Sequence, residues 1–533
     1  MSGCGGEVRR MDGEFEQPDD EQADELYGEM PDGPAEEEEV ERAYDLKALF
    51  KYGILISGLS ALIHFSGGRA TPLVTLLAIF AMIRRKTIEL MFFVMYLALL
   101  GIGSDKVFCR SPFAMITTRG TLVFVTGLLA MKVFNSPRTR IMTPICGIMW
   151  YIGWEVVSSL QGYAPLVSLM KLALFTCIFL GMYGVAKEVS ASTRANAKIL
   201  RSAMLVVAGV VTVGSVLLIP FPAISLMDRV DIDAQVAGEV TSFFCGVASH
   251  SQAMGPLAAI LGTFLFADLA FSVRKWDLLY LAALLACPII VYKTSSRTAM
   301  GTLLAGWGFV AFMILHSRGI EERWKRRLVT MGVMVLIFAA VVGILKPGLR
   351  EKAVDFVLKR TGAGADREQV TVETVMSSRQ GLIDEAKYGF SRKPIIGNGF
   401  QVSAAMAHEH RSGLKDYIAA PIEKGVWFYA IPEEGGIIGM TLFCVWLLFF
   451  FSTMLRRRAY VMAGTFFTFM VANCGEFSLF SMTYVGGFSW VLVLAAGVLD
   501  AARNRDQGEE IYFAPTIDIQ DRVGFDEWER LRG

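Results

Sequence analysis

The sequence contains few of the residues, and none of the short motifs, that usually bind metals or nucleotides. It has five histidines and eight cysteines among 533 residues, and no two cysteines form a Cys-x-x-Cys pair. No His-Glu-x-x-His, EF-hand loop, Walker A sequence or glycine-rich dinucleotide fingerprint occurs in a suitable context. We therefore expect neither a metal site nor a bound cofactor.

Charged residues are also scarce compared with apolar ones. Hydrophobic residues make up 53% of the chain and charged residues 19%, with a formal net charge of zero. The apolar residues form runs of about 15–22, which are long enough to cross a hydrocarbon core roughly 30 Å thick. This pattern excludes an ordinary soluble protein and predicts an all-α polytopic membrane protein.

We predict about fourteen transmembrane helices from these runs. Their approximate bounds are 46–66, 70–83, 87–103, 112–131, 141–160, 163–186, 202–221, 253–272, 277–294, 298–315, 328–345, 434–453, 459–477 and 483–501. Every second connecting loop is basic, as in Arg84-Arg85-Lys86 and Arg456-Arg457-Arg458. The positive-inside rule assigns these loops, and with them both termini, to the cytoplasm.

The predicted chain has five parts. Residues 1–45 are acidic and contain proline and glycine, so we expect a disordered cytoplasmic tail. Residues 46–345 hold spans 1–11, and residues 346–433 form a large extracytoplasmic loop between spans 11 and 12. Residues 434–501 hold spans 12–14, and residues 502–533 form a second cytoplasmic tail.

Three polar residues are candidates for a site on the outer face. One Ser-Ser-Arg sequence ends at Arg297, at the mouth of a span, and another ends at Arg379, in the large loop. Two guanidinium groups on the same side suit a pyrophosphate group, although Arg297 could also be a snorkelling membrane anchor. His250 lies between serines just before span 8, where it is either a substrate contact or an interfacial residue satisfied by water or a carbonyl.

Two glycine-containing motifs accompany these arginines. The large loop contains Pro-Ile-Ile-Gly-Asn-Gly-Phe at residues 394–400, and Glu-Gly-Gly-Ile-Ile-Gly at residues 434–439 leads into span 12. In this order and on this side of the membrane, the motifs resemble those of the O-antigen ligase and polymerase superfamily of bacterial envelope glycosyltransferases. The resemblance covers roughly residues 200–500.

This resemblance implies a metal-independent inverting glycosyltransferase in the bacterial inner membrane, active in surface polysaccharide biosynthesis. The enzyme would transfer a glycan from a polyprenyl-pyrophosphate carrier to an acceptor hydroxyl at the outer face, with Arg297 and Arg379 in the family's arginine positions. The implied partners are the lipid-linked donor, a glycan or lipid acceptor and membrane lipid, and no nucleic acid. Whether the reaction is that of a ligase or a polymerase stays open.

The sequence departs from the family at the histidine that commonly precedes the second motif, because Gly425 stands there. Glu434 and Glu423 are our first candidates for the general base, and His408 or His410 are alternatives with a better intrinsic pKa near neutrality.

Two neighbours of Gly425 and one loop histidine are candidate substrate contacts. Lys424 could bind a phosphate as a point charge. Trp427 could stack on a sugar or belong to an aromatic belt at the interface, and His410 could contact substrate or be a simple exposed loop residue.

Two other classes of function remain open. Fourteen spans with cytoplasmic termini also suit a lipid-glycan flippase or another secondary transporter. Few ionisable residues are expected within the spans, and we find no paired repeats with broken helices, which argues against transport. The absent histidine keeps a non-catalytic envelope scaffold open.

Overall fold

The computed structural model describes residues 44–84, 86–108, 112–135, 147–190, 194–229, 241–272, 277–316, 380–402, 426–475, 478–481 and 485–506. Within these ranges the chain is all-α apart from one short β hairpin. The predicted span at 328–345, most of the large loop and most of both tails lie outside the described residues.

The helices of the described residues are, in chain order, α1 Leu46–Phe65, α2 Thr71–Ile83, α3 Thr87–Ile102, α4 Asp105–Phe108, α5 Pro112–Asn135, α6 Ile148–Leu160, α7 Pro165–Ser190, α8 Arg194–Leu217, α9 Pro222–Ser225, α10 Ser251–Phe271, α11 Leu278–Lys293, α12 Arg297–His316, α13 Gln380–Arg392, α14 Trp427–Arg456, α15 Tyr460–Ala472 and α16 Val485–Asp506. Strands β1 Leu226–Arg229 and β2 Thr241–Phe244 pair antiparallel between α9 and α10.

Seven of the described helices are long and apolar enough to cross a membrane, namely α1, α7, α8, α10, α12, α14 and α16. By helix length and hydropathy, the chain is therefore a multi-pass membrane protein. Apolar side chains such as Ile54, Phe65 and Leu448 point away from the protein and are more than two-thirds exposed. Such an outer surface matches lipid, which cannot satisfy polar groups.

Each predicted span that falls within the described residues overlaps a helix. The largest difference that concerns function is at α14, which begins at Trp427 instead of residue 434. Residues 427–433, which we assigned to the end of the large loop, are helical because they are mostly apolar. Glu434 consequently lies inside a helix and not at its start.

Helices α10 and α16 lie at the centre of the protein. In the 18-residue apolar stretch of each helix, 83% of the α10 residues and 94% of the α16 residues are buried inside the protein. Small residues allow close helix packing around them. Gly306 of α12 is an example, because a Cβ at this position would overlap the hydroxyl groups of Thr263 in α10 and Thr468 in α15.

A cluster of buried charged residues lies near the helix ends that the positive-inside rule assigns to the cytoplasm. Arg201 donates from Nε and Nη2 to the two carboxylate oxygens of Asp268, at 2.9 and 3.0 Å, and Tyr280 donates to the same carboxylate. Asp500 lies 3.2 Å from Arg503 and accepts hydrogen bonds from backbone N–H groups at the start of α15. We call these five residues the inner cluster.

Candidate functional site

Helix α14 is broken in its first half, at the second predicted motif. Gly436 has φ 65° and ψ −166°, so the chain leaves the helical conformation there and re-enters it at once. A break of this kind leaves backbone carbonyl and N–H groups without their usual helical partners. Pro432, four residues earlier, removes a further backbone donor. The break therefore needs partners from elsewhere in the fold.

The turn formed by residues 394–400, which holds the first predicted motif, supplies several of these partners. The N–H of Asn398 donates to the carbonyl of Glu433 at 2.9 Å, and that of Gly399 donates to the carbonyl of Glu434 at 3.0 Å. The N–H of Ile437, just after the break, donates to the carbonyl of Pro394 at 2.8 Å. The two motifs that the sequence analysis singled out are thus hydrogen-bonded to each other.

Glycine is required where the turn and the helix meet. Gly397 has φ +86°, and a Cβ at this position would overlap the carbonyl of Glu434. A Cβ at Gly436 would in the same way overlap the carbonyl of Ile395. Residues other than glycine rarely adopt either of these backbone conformations. The spacing of the glycines is therefore explained by the close approach of two backbones.

The end of α6 supplies the remaining partners of the break. Ser158 donates from Oγ to the carbonyl of Glu434 and accepts from the N–H of Gly399 at 3.1 Å, so its hydroxyl group bridges helix and turn. Trp154 donates from Nε1 to the carbonyl of Gly435 at 2.7 Å. No sequence pattern predicts these contacts, because α6 lies far from the motifs along the chain.

Carboxyl groups are buried around the same break. Glu434, Glu433 and Glu155 are each at most 1% exposed. The carboxylate of Glu155, on α6, lies so close to α14 that a Cβ at Gly435 would overlap its Oε1 atom. The phenol of Tyr151, one turn earlier in α6, lies within electrostatic reach of both Glu155 and Glu434. Three acidic side chains are therefore buried close together beside the break.

We use the name helix-break site for Tyr151, Glu155, Ser158, Asn398 and Glu434. Asn398 is fully buried and donates from Nδ2 to the carbonyls of Gly389 and Glu433, at 2.8 and 3.2 Å. The turn is thus fixed to α13 as well as to α14. Of these five residues, only Glu434 is predicted from the sequence as a site residue. A carboxylate within an apolar span is a recognisable signal, and it could have identified Glu155.

Arg297 lies at the same end of the helical bundle as this site. It is the first residue of α12 and follows Ser296, whose Oγ accepts from the N–H of Ala299 at 3.2 Å. The next residue, Thr298, packs against Gly475, just after the end of α15. That helix end also binds the start of α14, because the N–H of Trp427 donates to the carbonyl of Asn473 at 3.2 Å. Arg297 and the first half of α14 therefore flank one helix end.

His250 and Trp427, both predicted substrate contacts, each contact another residue of the protein. His250 caps α10, and its Nδ1 atom accepts from the N–H of Gln252 at 3.0 Å. The ring of Trp427 is 8% exposed and stacks on Phe428 with ring centres 3.9 Å apart. The predictions for Arg379, Glu423, Lys424, His408 and His410 lie outside the described residues.

Within the described part of the chain, no group of three or more His, Cys, Asp or Glu residues is arranged to hold a metal ion. A comparison of the chain with protein-family models gives no match, and a comparison with curated proteins gives none either. The family resemblance therefore depends on the quoted motifs, and it stays a prediction.

Proposed function

We propose that the protein transfers a glycan from a polyprenyl-pyrophosphate carrier to an acceptor hydroxyl at the outer face of a bacterial inner membrane, in surface polysaccharide biosynthesis. The main support is the direct contact between the two motifs of the resemblance. The turn at residues 394–400 hydrogen-bonds to Glu433 and Glu434 at the break of α14. Arg297, which ends the first Ser-Ser-Arg sequence, begins a helix at the same end of the bundle.

In this proposal Glu434 is the general base. The acceptor O–H gives its proton to the carboxylate, and its oxygen forms a bond to the anomeric carbon of the donor. The bond from that carbon to the pyrophosphate breaks, and the pyrophosphate leaves with the bonding electron pair. Attack opposite to the leaving group inverts the anomeric centre. Glu155 and Tyr151 lie within electrostatic reach of Glu434, so in this proposal they influence how readily its carboxylate takes up this proton.

The charge that develops on the leaving pyrophosphate needs cationic partners. Arg297 and Arg379 have this role in the proposal, because a guanidinium group can grip two phosphate oxygens at once. Arg297 lies at the outer face under the proposed topology of fourteen spans with both termini in the cytoplasm. This arrangement needs no metal, since arginines neutralise the phosphate charge.

Replacement of Glu434 tests the proposal. In a strain that lacks the gene, wild-type protein should restore surface polysaccharide, and Glu434→Gln should lower transfer by about 10²-fold or more, as expected for a lost general base. Glu89→Gln is the matched control, because Glu89 pairs with Lys51 at the opposite membrane face. Lipid-linked precursor should accumulate with Glu434→Gln only. Normal polysaccharide at normal protein level would refute the role of Glu434.

Secondary transport is a second candidate, and the break in α14 favours it. Discontinuous helices with ionisable groups near them are typical of transporter binding sites, and Glu155 and Glu434 are fully buried beside the break. Transport needs two sealed compartments, whereas glycan transfer does not. Purified protein in detergent should therefore join donor and acceptor if it is a transferase. Substrate movement in proteoliposomes without new glycosidic bonds would instead establish transport.

A further inference from the structure

Two adjacent cations, Arg392 and Lys393, lie where α13 runs into the turn that binds the broken helix. Arg392 is exposed and Lys393 is partly exposed. Under the proposed topology this is the outer face, where the positive-inside rule predicts few basic residues. Two adjacent basic residues at this end of the protein are therefore unusual, which suggests that they bind a specific group.

Uncharged groups hold both cations in place. Arg392 donates from Nε and Nη2 to the hydroxyl of Tyr388, at 3.1 and 2.8 Å. Lys393 donates to the carbonyl of Gln161, and its ammonium group lies 5.5 Å from the centre of the Tyr163 ring. Among the described residues, neither cation has a carboxylate within ion-pair distance. Their positive charges are thus oriented but not neutralised within this part of the chain.

Both side chains keep donors for a ligand. A guanidinium group has five N–H donors and an ammonium group has three. Arg392 uses two donors in the bonds to Tyr388, and Lys393 uses one in the bond to Gln161. Arg392 also lies within electrostatic reach of Tyr163, so the two cations face the same short turn.

The height of this pair in the membrane follows from its partners. Gln161 and Tyr163 belong to the turn between α6, which ends at Leu160, and α7, which begins at Pro165. Of these two helices, α7 is long and apolar enough to cross a membrane, and under the proposed topology the turn at its start lies at the membrane–water interface, where tyrosine is enriched. Arg392 and Lys393 are therefore at the level of lipid headgroups.

We propose that Arg392 and Lys393 bind the phosphate group of a lipid in the outer leaflet. An arginine fork beside an ammonium group matches the geometry and charge of phosphate oxygens. Either an anionic phospholipid or a polyprenyl phosphate supplies this chemistry. The inference does not depend on the proposed glycan transfer, because it requires only lipid binding at this surface.

Lys387 offers a matched control on the same helix. Its ammonium group lies 5.4 Å from the centre of the Tyr429 ring, but it is also 4.0 Å from the carboxylate of Asp384. Lys387 is thus an exposed cation in a similar aromatic setting with a carboxylate nearby. Its replacement should affect phosphate binding much less than replacement of Arg392 and Lys393.

The test is a lipid titration of the full-length protein in detergent, followed by native mass spectrometry. The probes are phosphatidylglycerol, polyprenyl monophosphate and, as a lipid without net charge, phosphatidylcholine. The double variant Arg392→Gln/Lys393→Gln should lower the affinity for at least one anionic lipid by roughly tenfold, as expected for lost charge-assisted hydrogen bonds. Lys387→Gln should leave it nearly unchanged, and phosphatidylcholine should show no difference among the proteins.

Direct competition identifies the source of the phosphate. Preferential displacement of phosphatidylglycerol by polyprenyl monophosphate would assign the site to a lipid carrier, and equal binding would assign it to headgroups in general. Arg392→Lys keeps the charge but loses the fork, so it should have an intermediate effect. Equal affinities of the wild type and the double variant for both anionic lipids, at unchanged unfolding midpoints, would overturn the proposal.

Discussion

Buried polar groups lie at both ends of the helical bundle, but the two ends stabilise them differently. In the inner cluster each carboxylate has a cationic partner, Arg201 for Asp268 and Arg503 for Asp500. At the helix-break site, hydroxyl groups and a glycine-rich turn bind the carbonyls that the break in α14 leaves behind.

From this difference we infer a structural role for the inner cluster and a functional role for the helix-break site. A fully paired ionic cluster inside a bundle holds helices in register. Its charged groups are already bound to each other, so they are poorly placed to bind or activate a substrate. A helix break that only tertiary partners can stabilise is a costly arrangement, and such arrangements occur mainly at functional sites. We therefore expect damage to the inner cluster to affect stability first, and damage to the helix-break site to affect activity first.

The largest expected effect comes from breaking the inner cluster on one side. Asp268→Ala leaves the guanidinium group of Arg201 buried without its bidentate partner, which should cost about 3–5 kcal/mol of unfolding free energy. Thermal unfolding of the purified protein in detergent measures this loss. Lys51→Gln, which removes an exposed ion pair with Glu89, should change stability by less than about 1 kcal/mol.

A double replacement sharpens this prediction. Arg201→Met combined with Asp268→Leu removes both charges, so it should be milder than Asp268→Ala alone. An unfolding midpoint of Asp268→Ala equal to that of the wild type would mean that the ion pair contributes little, and the contrast between the two ends would disappear.

Gly397→Ala should have the next largest effect, at the helix-break site. Gly397 has φ +86°, and a Cβ would overlap the carbonyl of Glu434. The strain should cost about 1–3 kcal/mol and should also move the turn away from α14, so transfer activity should fall more than stability. Gly381→Ala, on α13 with open space around it, is the control and should be neutral or stabilising. Unchanged transfer in Gly397→Ala would show that the docked turn is not needed.

A smaller effect is expected for Ser158→Ala. The hydroxyl of Ser158 bridges the carbonyl of Glu434 and the N–H of Gly399, which keep their bond to each other when the hydroxyl is lost. The expected cost is therefore about 1 kcal/mol, the net contribution of a typical hydrogen bond. Thr441→Ala, which removes a hydroxyl bonded only to its own helix at Ile437, should cost less in the same unfolding assay. Equal midpoints for both variants would contradict the bridging role.

How much of the fold and of the helix-break site could be predicted from the sequence depends on how far apart the contacting residues lie along the chain. Hydrophobic runs located most of the described helices, but only seven of these helices are long and apolar enough to cross a membrane. The turn at residues 394–400 and the motif at residues 434–439 were also recognisable from their glycines. Their mutual contact was not predicted from residue pattern, since nothing local specifies which backbone a turn will approach.

The positions of Trp427 and Glu155 show the same limit. The sequence places Trp427 at the end of a loop, where it either stacks on a sugar or belongs to an aromatic belt; in the structure it begins α14 and stacks on Phe428, and the predicted sugar contact stays a prediction. Glu155 lies in an apolar run of the sequence, and no motif there predicts a site residue. Its importance depends on the approach of α6 to Gly435, which is a tertiary contact.

Glu155→Gln should have the smallest effect on stability and is the most direct test of how the helix-break site works. The amide has the shape of the carboxylate, and it removes a buried acidic group, so the unfolding midpoint should stay close to that of the wild type. Transfer should fall by roughly tenfold, because the neutral amide changes the electrostatic environment in which the Glu434 carboxylate takes up a proton. Glu155→Asp keeps the acidic group and should recover part of the activity. Glu89→Gln, at the opposite membrane face under the proposed topology, should leave transfer unchanged. Full activity of Glu155→Gln would restrict the chemistry to Glu434 and would make Glu155 a packing residue, comparable to those of the inner cluster.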